Sequence, residues 1–286
     1  MSINLRTNVA SLQAQRNLAQ TTKGLNSAYE RLSSGLRINK ARDDAAGLAI
    51  AEQLKSDARV ASVAIRNAND AISVIAIADQ AIGQITSVLS RLAELAEQSA
   101  NGVFSNEQRS ALQSEFSALA SEIERIAVTT EFNGLQLLSG GGQVVFQVGF
   151  DGSSLSQVTY SGVQATLAAI GLANAGTSVP TYSIQGTTAL DSQSASRNAL
   201  DAINNAISTV TRNRGLLGAA ESRLDITIQN LQVARENFSA AESRIRDVDV
   251  ATEAAELTRL GILQQAGASI LAQANQQPSL ALQLLQ

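Results

Sequence analysis

Cysteine, histidine and tryptophan are all missing from this chain of 286 residues, which has only 2 prolines and 1 methionine. Without Cys there are no disulfides, no thiol nucleophile and no thiolate metal sites. Without His the commonest general base and metal ligand is gone. Aromatics make up 3%, so the core is built of Ala, Leu, Ile and Val. Alanine accounts for 47 residues, which favours closely packed long helices over a globule organised around large side chains. This composition speaks against an ordinary enzyme, and no cofactor or metal is expected. The 21 basic and 25 acidic residues leave a formal charge of -4, with no basic field to collect phosphates, so nucleic acid is not an expected partner. The stretch from Met1 to Ala10 lacks the uninterrupted apolar run of a signal peptide. No run approaches the eighteen or so apolar residues of a membrane span, so membrane insertion is not expected. Signal-peptide routes would leave the protein in the cytoplasm, but other export machines read different addresses.

What is present is helical periodicity on either side of a glycine-rich middle. Of the 19 glycines, 10 fall between Gly134 and Gly186, alongside Tyr160, Pro180 and Tyr182. Counting in sevens from Leu54 gives Leu54, Ala61, Ala68, Ile75, Ile82, Leu89 and Ala96, and a companion row gives Ala64, Ala71, Ala78, Ile85 and Leu92. The C-terminal arm repeats the pattern with Ile203, Val210, Leu217, Leu224, Leu231, Phe238 and Ile245, accompanied by Leu200, Ile207 and Ile228. These seams predict two helices of about 50 residues, each ~70 Å long. A third helix carries Leu112, Phe116, Leu119, Ile123 and Ile126, with Ser105 and Gln108 as its capping box. It should turn back at Asn101-Gly102 and close a bundle with the other two. Val144 to Phe150 and Gln157 to Tyr160, joined at Asp151-Gly152, read as a β-hairpin. The expected fold is mainly α: an elongated antiparallel coiled-coil or helical bundle, with a small β-hairpin region in the middle of the sequence.

The two ends carry thinner stripes. One consists of Leu5, Val9, Leu12, Ala19, Leu25 and Leu32, the other of Leu257, Leu260, Leu263, Gly267, Ile270 and Ala274. Each helix has little to bury alone, so the ends either pair in an assembly or wait for partners, and the plainer alternative is two more helices of the same bundle. Residues 35–47 read as a charged linker.

The segments Arg31-Leu-Ser-Ser-Gly-Leu-Arg-Ile-Asn-Lys-Ala-Arg-Asp-Asp-Ala-Ala-Gly, Thr130-Glu-Phe-Asn-Gly-Leu, Ser243-Arg-Ile-Arg-Asp-Val-Asp-Val-Ala-Thr-Glu and Ile262-Leu-Gln-Gln-Ala-Gly-Ala-Ser-Ile-Leu-Ala-Gln-Ala-Asn-Gln closely resemble the two ends of bacterial flagellin. The resemblance spans about 1–140 and 195–286. It implies a non-enzymatic, extracellular subunit that polymerises at the tip of the flagellar filament, after unfolded passage through the type III export apparatus and without a cleaved signal peptide. It further implies an export chaperone, and filament cap and hook-junction proteins as neighbours. Residues 1–43 and 247–286 would form an inner-tube domain. Residues 44–246 would form a bundle domain with the Gly-rich, β-containing segment at about 134–190 and no outer domains.

On the same grounds Leu5, Val9, Leu12, Arg31, Arg42, Asp43, Asp44, Leu263 and Ile270 are candidate contacts between subunits, although a solvated linker is the plainer reading of the charged loop. Ser90 to Glu97 looks like the segment read by the host flagellin-sensing Toll-like receptor. That makes Arg91, Glu94, Leu95 and Glu115 candidates, with Ala93 and Leu119 departing from the stimulatory pattern. A solvated Arg-Glu pair is the rival reading. Asp247 and Asp249 superficially resemble a cation-binding pair. Arg214, Glu221, Arg235 and Glu242 form either a solvated flank or a strip facing another subunit. Two other classes compete: the hook-filament junction protein, and a secreted coiled coil of lipid surfaces. A zinc-peptidase variant, which needs a His-Glu-x-x-His motif, is excluded by composition.

Overall fold

A computed structural model describes residues 7–140, 143–160 and 162–283, with 277–283 as backbone only. Its helices are α1 (Val9–Ser34), α2 (Ala45–Ala100), α3 (Asn106–Thr129), α4 (Ala189–Arg246) and α5 (Val250–Gln283). Four short strands follow α3: β1 (Glu131–Phe132), β2 (Leu135–Gln136), β3 (Val144–Gln147) and β4 (Gln157–Tyr160). The described residues divide into two units, one of residues 1–59 and 235–286, the other of residues 60–234. The divisions fall inside α2 and α4, whereas the sequence places its boundaries at the helix ends 43/44 and 246/247.

In the unit of 60–234 the heptad seam of α2 is the core. Ala61, Ala64, Ala68, Ala71, Ile75, Ala78, Ile82, Ile85, Leu89, Leu92 and Ala96 are all buried. Alanine lines the first half, where each buried side group removes little area from water. Isoleucine and leucine along the second half supply area, and each fully buried side group of this size contributes about 1.5–3 kcal/mol. From α4 the seam residues Ile203, Val210, Leu217, Leu224 and Leu231 are buried, joined by Ser192, Ser196, Ala199 and Ala206. The expected companions Leu200, Ile207 and Ile228 lie at the core's edge. From α3 the buried set is Arg109, Phe116, Ala120, Ile123 and Ala127. Its start is fixed by the expected capping box: Ser105 accepts from the Gln108 amide and the Gln108 side chain accepts from the Ser105 amide.

By length and composition α2 is apolar enough to cross a membrane, with a mean hydropathy of 1.5 in its best 18-residue window. Counting uninterrupted apolar runs in the sequence shows no segment near that length. The difference arises because alanine and isoleucine fill the gaps between its few charges, while the face through Ile75 and Leu95 lies in the bundle core.

The middle segment is strapped along the bundle. Val163, Ala165, Leu167, Ile170, Leu172 and Ile184 are buried. Glu124 accepts from the Leu167 amide, and Gln113 accepts from the Ile184 amide. The hydroxyls of Ser99 and Ser196 both donate to the Ile184 carbonyl.

The hairpin β3–β4 forms with Val144 opposite Tyr160 and Gln147 opposite Gln157, but β3 stops short of the expected Phe150. Asp151 accounts for the early end. Its carboxylate accepts from Ser153 and Ser156 and builds a longer connection that includes a 3-10 turn at Ser154–Ser156. A second hairpin, β1–β2, turns at Asn133-Gly134. Both turn residues have positive φ, 50° and 77°, as a type I′ turn demands.

Arg109 is fully buried. Its guanidinium donates to the carbonyls of Ser99 (3.0 Å), Asn101 (2.8 Å) and Ala189 (3.1 Å). It thereby ties the C-terminal end of α2 to the start of α4, and cations are favoured at helix C-termini.

Arg214 forks onto both carboxylate oxygens of Asp79 at 2.8 and 3.0 Å. These hydrogen bonds, more than Coulomb attraction, hold the Asp79 carboxyl below the ordinary 3.8. A depressed folded pKa contributes stability that is fully present above 3.8 and fades as the pH falls through the lowered value. The pair is substantially exposed, so its contribution stays below about 1 kcal/mol. Arg214→Gln should therefore lower the urea midpoint slightly at about pH 7 and hardly at all at about pH 2.

Candidate assembly surfaces

In the unit of 1–59 and 235–286, α1 and α5 lie antiparallel along each other. Asn8 donates to the Ala274 carbonyl and Ser11 to Asn275, while Gln264 reaches Thr22. Leu18 lies against Gly267, and Leu260 against Gly24. Arg31 pairs with Glu253 at 3.8 Å. The side of α5 toward α1 therefore uses Leu257, Leu260, Gln264, Gly267, Leu271 and Ala274, all at least half-buried. This corrects the expected stripe, because Leu263 and Ile270 sit on the flank. Gln264 and Leu271 take their places beside the expected Gly267, whose small size admits the facing Leu18.

The consequence is an apolar surface left open. Val9, Leu12, Ile262, Leu263 and Ile270 are between 43% and 62% exposed. Leu5 lies outside the described residues.

The linkers at the base of the two helices are joined backbone to backbone. The Arg37 amide donates to the Arg246 carbonyl at 2.6 Å, and the Val248 amide to the Gly35 carbonyl at 3.0 Å. Gly35 caps α1 with a positive φ of 72°. The Arg37 guanidinium adds a bond to the Ile245 carbonyl. Arg246 pairs with Glu52 at 2.7 Å and Glu242 at 3.8 Å. The Nε atoms of Arg31 and Arg246 are buried without a hydrogen-bond partner.

Within the charged loop the residues divide. The Asp43 carboxylate accepts from the amides of Lys40 and Asn39, and these bonds, the Lys40 amide first, hold it below the usual carboxylate range. Asp44 caps α2 through the Gly47 amide. A Cβ on Gly47 would overlap that carboxylate. Both aspartates thus have work inside the subunit, while Arg42 is exposed and 3.7 Å from Asp43. Asp247 and Asp249 are also structural: Asp247 accepts from Ser243, and Asp249 caps α5 through Ala251 and Thr252. Of the polar flank of α4, Arg214 faces Asp79 and Glu242 faces Arg246.

Arg91, Glu94 and Glu115 share one surface cluster. Arg91 donates to Glu115 at 2.8 Å and to Glu94 at 2.8 Å. Leu95 is not part of that surface. It is fully buried, because α2 packs against more than one neighbour and a row beside the seam turns inward as well.

Long helices whose apolar faces stay open at both ends of the sequence define a structural subunit of an assembly. Residues 5–143 match the family described as the bacterial flagellin N-terminal helical region, and residues 200–285 match the bacterial flagellin C-terminal helical region. The flagellin of Halalkalibacterium halodurans is 43% identical over 279 residues, covering 97% of this chain and 98% of the relative. The flagellar filament 33 kDa core protein of Treponema phagedenis is 39% identical over 288 residues, with the same coverage. A putative flagellar hook-associated protein from Vibrio parahaemolyticus shares the fold, with a TM-score of 0.59 at 14% identity over 72% of this chain and 100% of that one. The chain belongs to the bacterial flagellin family. It is a structural subunit of the self-assembling flagellar filament, outside the cell, and not an enzyme.

Proposed function

We propose that residues 1–43 and 247–286 form the inner tube of the filament and residues 44–246 the surrounding shell. The observation that carries this is the open apolar surface of Val9, Leu12, Ile262, Leu263 and Ile270, which solvent would disfavour in a finished structure. The α5 sequence adds support, since no charged residue follows Arg259. Arg42, exposed at the loop, and Arg31 are the polar contacts to a neighbouring subunit. Deleting residues 1–34 or 253–286 should leave the bundle helical by circular dichroism but abolish pelletable filaments. Normal filaments from either truncated protein would overturn the assignment.

The same reading sends the protein, unfolded, through the flagellar type III export apparatus with an export chaperone, its N-terminal segment retained, to meet cap and hook-junction proteins at the growing end. The absence of cysteine supports it, because no disulfide can trap a folded subunit. Residues Arg91, Glu94 and Glu115 are the surface a host flagellin-sensing Toll-like receptor reads. Arg91 is already neutralised by two carboxylates, so a receptor must exchange those partners. In a receptor reporter assay on monomer, Arg91→Ala should signal several-fold more weakly than the parent. Leu95→Ala should act chiefly through stability. Equal signalling by Arg91→Ala and the parent would remove the cluster from the contact.

A further inference from the structure

There are two Asn-Gly steps in the sequence, Asn101-Gly102 and Asn133-Gly134, and the fold treats them oppositely. The glycine amide that follows an asparagine can attack the carboxamide carbon of that asparagine, provided the backbone brings the two together. At Asn133 it does not. The residue sits at φ 50° in the tight turn between Phe132 and Leu135, which are paired. A type I′ turn fixes ψ at about +30°, which swings the next amide away from the carboxamide. Asn101 lies in the exposed bend after α2, outside any paired strand. Its Oδ1 accepts a hydrogen bond from the Val103 amide at 3.2 Å, and this folds the carboxamide back over the Gly102 peptide. The same N–H stands ready to stabilise negative charge that develops on that oxygen.

We propose that Asn101 is a self-modification site, at which the protein deamidates in its folded state while Asn133 is protected. The Gly102 amide loses its proton to hydroxide and its nitrogen bonds to the Asn101 carboxamide carbon, Cγ. The bond from Cγ to Nδ2 breaks, and that nitrogen leaves as ammonia, taking up a proton. Water then opens the resulting cyclic imide at one of its two carbonyls. Overall, one water is consumed and one ammonia released. Opening at the backbone carbonyl gives isoaspartate, and opening at the Cγ carbonyl gives aspartate.

The two products differ in consequence. Aspartate keeps an acceptor for the Val103 amide and adds a negative charge close to Arg109, whose three bonds all go to neutral carbonyls. Isoaspartate reroutes the backbone through Cγ, one methylene longer, and turns the carbonyl that Arg109 holds at 2.8 Å into a free carboxylate, so both the chain path and the charge change at the point where α2 and α4 are tied.

The test uses the purified full-length monomer, aged at mildly alkaline pH in heavy-oxygen water, with peptide mapping for label and isoaspartate. Asn101 should convert about tenfold or more faster than Asn133 in the folded protein, and the ratio should fall to near unity in denaturant, where turn geometry no longer discriminates. Gly102→Ala should slow conversion at Asn101 and leave Asn133 unchanged. An added Cβ there meets only the flexible end of Gln193 at 3.2 Å, so the variant folds, and far-ultraviolet circular dichroism checks that it does. Equal rates in the folded protein, faster conversion at Asn133, or conversion of both only in denaturant would each overturn the proposal.

Discussion

Arg109→Met lowers the stability of the bundle by about 3 kcal/mol or more, because the methionine fills most of the space and satisfies none of the three carbonyls of Ser99, Asn101 and Ala189. A buried hydrogen bond to a charged donor is worth about 1.5–3 kcal/mol, and unpaired carbonyls left behind add their own desolvation cost. Among the described residues no carboxylate forms an ion pair with Arg109, so the substitution leaves no orphaned negative charge. The loss is chiefly one of hydrogen bonding, with a smaller part from the cation at the C-terminal end of α2. In a unit of this size each kcal/mol moves the thermal midpoint by about 2–4 °C, so a decrease of about 10 °C is expected from calorimetry of the monomer. Arg109→Lys should recover part of it, since an ammonium donates to some of the same oxygens but cannot fork across three. A midpoint within about 2–3 °C of the parent for Arg109→Met would show that the carbonyls find water instead.

The pair Leu263→Asp and Ile270→Asp has the opposite profile: small effects on the monomer and a large one on the polymer. Both residues are half exposed, and Asp costs a helix interior well under about 1 kcal/mol relative to leucine or isoleucine, so α5 should remain helical. If a second copy covers this surface, each Asp must either give up its hydration or take up a proton. The effective penalty for burying an unpaired carboxylate is several kcal/mol. The penalty recurs at every contact along the polymer, so filaments of the variants should be absent from the pellet where the parent sediments. Leu263→Gln and Ile270→Gln should be milder, because a neutral amide carries a smaller desolvation cost. Filaments of normal length from either Asp variant would place the contact elsewhere on α5.

Much of the bundle was legible because a seven-residue repeat in α2 runs without interruption from Ala61 to Ala96, and every predicted seam position in that range is buried. The misses have physical causes. Hydrophobic counting places Leu263 and Ile270 in the α5 stripe beside Gly267; the α1 interface keeps Gly267 but uses Gln264 and Leu271 in place of the other two, and Gln264 serves through its bond to Thr22 rather than through hydropathy. The hairpin at Asn133-Gly134 carries the strongest short turn signal in the sequence, and its strands are too short for alternation to reveal. Leu95 lies one residue from a seam position, and a helix of 3.6 residues per turn drifts against a strict heptad. As a result, the row carrying Val74 and Leu95 turns inward beside Ile75 and Ala96. Arg109 could not be found from pattern at all. A charged residue is buried only where a fold brings several carbonyls to one point, and Ala189 lies eighty residues away. The charged loop reads in sequence as a linker whose Arg42, Asp43 and Asp44 meet another subunit or solvent, and charge pattern alone gives no sign that Asp43 and Asp44 are engaged locally while Arg42 is exposed.

The ladder that joins the two linkers, Arg37 to Arg246 and Val248 to Gly35, is made of peptide groups. Ordinary substitutions at 37, 246 and 248 leave its donors and acceptors in place, so three of the four positions are open to the drift that separates one family member from another, while Gly35 at φ 72° is the one that a side chain would strain. At 37 or 248 only proline deletes the donor itself. Both arms of the subunit are therefore fastened by a connection that sequence divergence can decorate but can hardly rewrite.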